Sequence, residues 1–258
     1  MINNNRSLNS FLITFLLFFP ISAFADPIVI FDQGHGQQFL AEHNGPLDLS
    51  EFANLFTNEG AEVISSNKTI SPDVLSGVHA LVISGPFLPF AETEIEAILE
   101  FIRQGGRLAL MAHIGQPLAR LIHELGGAIS SAAVYEQENI IGENSRNFMV
   151  TDLQDHPLTR NLDAFAVYGT WALMAEKESV REIAKTSHDA WIDLNQNGEL
   201  NKHDAKQVFA LILAGSLGNG EFVIFGDDAI FQNRFLQGGN RILGQNLAQW
   251  FCLVRQSI

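Results

Sequence analysis

Residues Pro27 to Gln38 read PIVIFDQGHGQQ. Four apolar residues, Ile28 to Phe31, run without alternation into Asp32. Such a run suits a strand buried on both faces, the environment of a parallel sheet covered by helices. Gly34 and Gly36 then let the backbone turn sharply and leave a polar loop at the strand's C-terminal end. Ligands of open α/β sheets sit at that end. Asp32 and His35 are therefore the first candidate site residues.

Working outward, the same pattern recurs. Leu47 to Glu59 carries a helical stripe of Leu47, Phe52, Leu55 and Phe56 and stops at Gly60. Ala61 to Ser65 predicts a second strand, and Ser71 to Ser76 a helical turn. Val78 to Ser84 predicts a third, buried strand. Ala91 to Gln104 is the clearest helix, with Ile95, Ile98, Leu99 and Ile102 on one face. Its early glutamates suit the positive helix N-terminus. Arg107 to Ala112 follows as a strand and Gln116 to Leu125 as a helix. Alternation at this spacing implies helices on both faces of a parallel sheet. The middle, about 128 to 206, loses the rhythm and is expected to be strands and loops inserted on that sheet. Val208 to Gly215 and Glu221 to Phe225 return as strands around Gly218-Asn219-Gly220, and Asn240 to Val254 as a closing helix. The expected fold is α/β: a three-layer sandwich with a mostly parallel, flavodoxin-like sheet and an inserted strand and loop region.

Composition bounds the role. Residues 1–25 have the form of a signal peptide: Arg6, an apolar core from Phe11 to Phe19, and the small-x-small site Ala23-Phe24-Ala25. The expected mature chain, 26–258, is one exported, soluble domain, periplasmic or secreted. It contains no later apolar run of the about 18 residues a membrane helix needs. The full chain carries a net charge of -14, and loss of Arg6 leaves the mature chain more negative by a single charge. That balance opposes nucleic acid and anionic lipid as partners and suits hydrated cations. Cys252 is the only cysteine, so no internal disulfide forms; it reads as a small apolar residue of the last helix.

Several stretches in this order resemble an uncharacterised bacterial family with a class I glutamine-amidotransferase-like domain, as in gliding-motility-type ABC transport accessory proteins. They are Phe31-Asp32-Gln33-Gly34-His35-Gly36, Leu81 to Pro86, Phe101 to Leu110, Asp155 to Thr159, and Phe225-Gly226-Asp227-Asp228 with Asn233. The resemblance implies the flavodoxin-like sandwich and no established activity. An amidotransferase of this class places a cysteine on an elbow after a central strand. Here that strand ends in Ala112-His113-Ile114-Gly115. Attack on glutamine needs a thiolate with a base beside it, so glutaminase chemistry is not expected.

Two constellations carry chemistry. Asp193 to Asp204 (DLNQNGELNKHD) has oxygen side chains at loop positions 1, 3 and 5, Gly198 at 6 and a carboxylate at 12. This is the spacing of an EF-hand-like calcium loop, with Asp193, Asn195, Asn197, Glu199 and Asp204 as candidate ligands. Asp204 is shorter than the usual glutamate, so the expected affinity is weak, about 10⁻⁴ to 10⁻³ M. The alternative is an Asn197-Gly198 hairpin turn among solvated neighbours. The second constellation is a strand-edge cleft of Asp32, His35, His113, Asp227 and Asp228, suited to acid–base work or a transition metal. Its alternative is that these groups satisfy loop amides and cap helices. Gly34-His35-Gly36 lacks the third glycine of a dinucleotide fingerprint, with Phe39 in its place. His156-Pro157 is most simply a fixed loop.

The expected role is a non-catalytic binding or interaction module of the cell envelope, its ligand a carbohydrate, a peptide or a partner protein. The alternative is a hydrolase using the strand-edge Asp and His residues. Convergence of their functional atoms on an open pocket favours the enzyme; their consumption by backbone amides favours the binding module.

Overall fold

A computed structural model describes residues 26–253 apart from 115 and 196. The proposed signal peptide, 1–25, lies outside the described residues. The chain runs β1 (Ile28–Asp32), α1 (Ser50–Asn58), β2 (Glu62–Ser66), β3 (Ala80–Ser84), α2 (Glu92–Arg103), β4 (Arg107–Met111) and α3 (Ala119–Leu125). The middle is β5 (Gly127–Tyr135), β6 (Ile140–Ile141), β7 (Asn144–Val150), β8 (Asp152–Leu153), β9 (Phe165–Tyr168), β10 (Trp171–Ala175), β11 (Val180–Lys185), β12 (Trp191–Ile192) and β13 (Ala205–Lys206). It ends with β14 (Ala210–Leu217), β15 (Gly220–Phe225) and α4 (Gly239–Cys252).

The apolar runs do what their composition dictates. Along β1, Val29 and Phe31 pack on one face with Phe52, Phe56, Leu243 and Leu247 of α1 and α4. Ile30 points the other way, into the layer formed by Ile95, Ile98 and Ile102 of α2. Strands β3, β4 and β15 divide their side chains in the same way. Successive side chains of a strand alternate faces, so only a run apolar at every position can feed both layers. Ser71 to Ser76 forms turns and no helix.

The expectation of a mostly parallel, flavodoxin-like sandwich is wrong. The main sheet has 12 strands and is mixed. Parallel pairing is confined to β2-β1-β3-β4-β15. Beyond β15 every ladder is antiparallel, through β14 to β10, β5, β12 and β13, with β11 and β8 alongside. The reason lies in the connections. The two-residue link Gly218-Asn219 between β14 and β15 can join only an antiparallel pair, because a parallel crossover needs a dozen or more residues. The inserted middle is therefore sheet in its own right, and some of it forms a second, three-stranded sheet, β6-β7-β9.

Asn240 of α4 fixes that small sheet. Its side chain accepts from Ala166 N–H at 2.7 Å and donates to the Ala166 and Ile230 carbonyls at 3.0 and 3.1 Å. A buried amide with all three bonds made holds β9 beside the end of β15. This places Tyr168 and its ladder partner Asn147 over the C-terminal edge of the parallel strands.

Candidate functional site

The proposed strand-edge cluster divides into two acid–imidazole pairs. The first is closed. Asp32, 4 % exposed, ends β1, and its Oδ1 accepts from Gly34 N–H at 3.2 Å. Its Oδ2 lies 2.8 Å from His35 Nδ1 and also accepts from the Gln37 amide. The other ring nitrogen of His35, Nε2, lies 3.2 Å from Glu94 Oε1. Glu94 in turn accepts from Ile70 and Ala91 N–H at 2.9 and 3.0 Å. The imidazole stacks on Phe90, with centroids 3.8 Å apart, and is 5 % exposed. Burial opposes the proton on His35, but the bonds to Asp32 and Glu94 outweigh it and raise the pKa. Burial also opposes ionisation of Glu94, and two backbone N–H groups and His35 outweigh that, lowering its pKa. A protonated ring with a carboxylate on each nitrogen is a clasp between the β1 loop, the 70s loop and the start of α2. It has no free edge to offer a substrate. The helix-dipole role expected of the early glutamates missed this use of Glu94.

The second pair is open. His113 follows β4, its side chain is 35 % exposed, and its Nδ1 sits 3.1 Å from Asp228 Oδ1. Asp228 is itself buried and lies against Gly85 at the end of β3, where a Cβ would collide with its Oδ2. Gly85 also holds φ +60°, so the residue serves both the turn and the approach. Gly226, ahead of the Asp pair, serves a similar end. A Cβ there would strike the Trp171 carbonyl, and its absence lets the start of β10 lie on the end of β15. Trp171 Nε1 then donates to the His113 carbonyl at 3.0 Å. The hydrogen bond to Asp228 raises the His113 pKa against the cost of burial.

Asp227 is a third case. It is wholly buried, its Oδ1 accepts from Ala229 N–H at 2.9 Å, and its Oδ2 accepts from Tyr168 N–H. Its carboxyl is spent on backbone amides, as the alternative reading proposed. Burial, with Asp228 beside it, pushes its pKa up to about 7. It borders the cavity that His113 faces, with both carboxylate oxygens already bonded.

His113 and Asp228 open into a cavity of about 720 Å³. Arg146 of β7, Tyr168 of β9, Trp171 of β10 and Arg234 share its walls. Tyr168 stacks on Phe235 at 3.9 Å, and the Arg234 guanidinium lies 5.5 Å over that ring. Asp32 and His35 do not line it. The link between the pairs is the loop after β3. Phe87 N–H donates to the His35 carbonyl at 2.9 Å, while the Phe87 ring lies 5.0 Å from the His113 ring. Sequence reasoning found His113 and Asp228 but not Arg146, Tyr168, Trp171 or Arg234. Their arrival depends on the antiparallel insertion, which no local pattern announces.

The EF-hand-like reading of Asp193 to Asp204 is overturned. The flanks are β12 and β13, paired antiparallel at Trp191–Lys206 and Ile192–Ala205, so the segment is a hairpin loop and not helix–loop–helix. Asp193 accepts from Asn197 and Gly198 N–H at 3.2 and 2.7 Å. Asp204 accepts from Leu194 and Asn201 N–H at 3.1 and 2.8 Å. Asn195 and Asn197 accept from the N–H groups two residues on, at 3.1 and 2.9 Å, in Asx turns. Glu199 is exposed. Among the described residues no three acidic, histidine or cysteine side chains gather as a metal would require. His156-Pro157 is a fixed loop: His156 Nδ1 accepts from Leu158 N–H at 3.2 Å, capping a short 3₁₀ turn.

An α/β domain with a mixed sheet, its cavity walled by strand ends and an antiparallel insertion, is the class the geometry defines. The chain belongs to the family described as a domain of unknown function, DUF4350, whose model matches residues 34–248. This corrects the resemblance to a glutamine-amidotransferase-like family. No curated protein matches the sequence. Among solved structures, the mmIFT52 N-terminal domain aligns with a TM-score of 0.70 at 14% identity, over 90% of this chain and 100% of that one. A cytoplasmic protein of Salmonella typhimurium LT2 gives 0.54 at 14% over 88% and 100%. A putative ThuA-like protein of Bacteroides uniformis gives 0.52 at 13% over 91% and 95%. At these identities the likeness is one of fold.

Proposed function

We propose that the chain is an exported ligand-binding module of the cell envelope whose site is the cavity at His113 and Asp228. The observation that carries this is the contrast among the candidate residues. Asp32 and His35 are closed off, Asp227 is spent on amides, and the one pair that remains faces a cavity large enough for a small ligand. Export rests on the leader-like first 25 residues. Among the described residues no helix is long and apolar enough to cross a membrane. Native mass spectrometry of the mature protein, incubated with small-molecule extract of bacterial envelopes, tests the site. Wild type retains a ligand that Asn147→Trp, which fills the cavity, does not. Equal retention by both proteins, or by neither, contradicts the proposal.

A second reading follows from the 3.1 Å His113–Asp228 bond, since a carboxylate orienting a half-exposed imidazole is the arrangement of a general base. Hydrolysis of aryl esters or glycosides that disappears in His113→Asn favours this reading; no turnover leaves the binding module.

A further inference from the structure

The chain is strongly acidic, with 29 Asp and Glu against 15 Lys and Arg. Most of the arginines among the described residues are used internally. Arg103, Arg120 and Arg241 pair with glutamates, Arg107 donates to the Phe251 and Leu253 carbonyls, and Arg181 donates to the Asp155 carbonyl. Of the other described arginines, Arg160 lies away from this cavity, while Arg146 and Arg234 line it. Both are exposed on the cavity wall, and neither makes an ion pair among the described residues. They reach the cavity from unrelated regions of the chain, β7 and the segment before α4. The acidic groups beside them are already matched. Asp228 is bonded to His113, and Asp227, also on the cavity wall, accepts from two N–H groups. Arg146 and Arg234 thus offer two guanidinium groups, unpaired among the described residues, to the cavity of a negative molecule.

The remaining walls narrow the ligand. Trp171 and Tyr168 supply flat apolar surface, while Asn147, His113 and Asp228 supply mixed donors and acceptors. Aromatic surface with both kinds of polar partner suits a ring that carries several hydroxyls. Guanidinium forks suit a carboxylate and present no acceptor.

Resting on the proposal that this cavity binds a ligand, we infer that the ligand is an acidic sugar, a hydroxylated ring bearing a carboxylate, held by Arg146 and Arg234. The chain's overall charge repels such a molecule, so recognition depends on these two side chains, and added salt weakens it.

Calorimetric titration of the mature protein with galacturonate and with galactose tests this. The two probes share a ring and differ at the carboxylate. Galacturonate binds at least tenfold more tightly, consistent with about 1.4 kcal/mol per factor of ten. In the Arg146→Gln/Arg234→Gln double variant the two sugars come within about twofold of each other. Both arginines are exposed, so the variant keeps its fold, which circular dichroism checks. Equal affinity for the two sugars in the wild type overturns the acidic-sugar inference while leaving the cavity as a binding site. A preference that survives the double substitution overturns the role of the arginines. If neither sugar binds, the inference fails, and retention by wild type but not Asn147→Trp still decides the cavity on its own.

Discussion

Two acid–imidazole pairs stand at the ends of β1 and β4, separated by one strand of the same sheet. Asp32–His35 has a second carboxylate on the far nitrogen and an aromatic ring across its face. His113–Asp228 has one carboxylate, partial exposure and a cavity. Residue type and position at a strand end are the same in both. What separates them is how many partners the rest of the fold brings. A group whose bonds are all made supports structure; one left half-made at a cavity is available for a ligand.

The largest effect expected from breaking this contrast is on stability. Asp32→Ala leaves a buried imidazolium, a Gly34 N–H and a Gln37 amide short of their partner. It lowers the unfolding free energy by about 3–5 kcal/mol. His113→Ala leaves the buried Asp228 carboxylate facing the cavity and costs less, about 1–3 kcal/mol. Urea denaturation of the two variants compares them directly; equal losses would erase the distinction.

Next comes pH. The clasp holds when His35 is protonated and Glu94 is ionised. His35 has a raised pKa, so its contribution is full below its ordinary value of 6.5 and is lost as pH rises through the raised one. Glu94 has a lowered pKa, so its contribution is present above 4.5 and lost as pH falls through the lowered one. Asp227, raised from 3.8 to about 7, adds a loss that accumulates between those two pH values, and His113, raised from 6.5, adds to the loss above its ordinary value. Stability is therefore expected to peak in mildly acidic solution and to fall as pH rises past neutrality. In His35→Gln the alkaline decline becomes shallower, which thermal unfolding at a series of pH values measures.

A smaller effect sharpens the open pair. Gly85→Ala puts a Cβ against Asp228 at a backbone φ of +60°. It costs about 1–3 kcal/mol and displaces the carboxylate from His113. The His113 pKa then falls toward 6.5, as read from its imidazole resonances. The smallest expected effect is Asp193→Ala in the β12–β13 hairpin. It removes two local N–H bonds and costs about 1 kcal/mol, well below the loss in Asp32→Ala.

Much of the parallel half was legible, because burial on two faces demands apolar residues at every position, as in Val29-Ile30-Phe31. The insertion was not, since half-buried strands such as Asn144–Val150 mix polar and apolar residues and show no helical period. Sheet direction was misjudged even though the short Gly218-Asn219 link carried the signal. In the loop at Asp193 the spacing that suggests calcium also suits a chain of Asx turns, and flanking strands decide between them. For the site, strand-end residues were readable one at a time. Their partners were not, because Glu94, Tyr168 and the two arginines arrive through tertiary packing alone.

The most direct test follows the imidazole resonances of both histidines during a titration with galacturonate. The His113 signals should shift saturably and the His35 signals should stay in place, with the His113 shift abolished in Arg146→Gln/Arg234→Gln. A saturable shift at His35 with none at His113 would contradict the assignment of clasp and site.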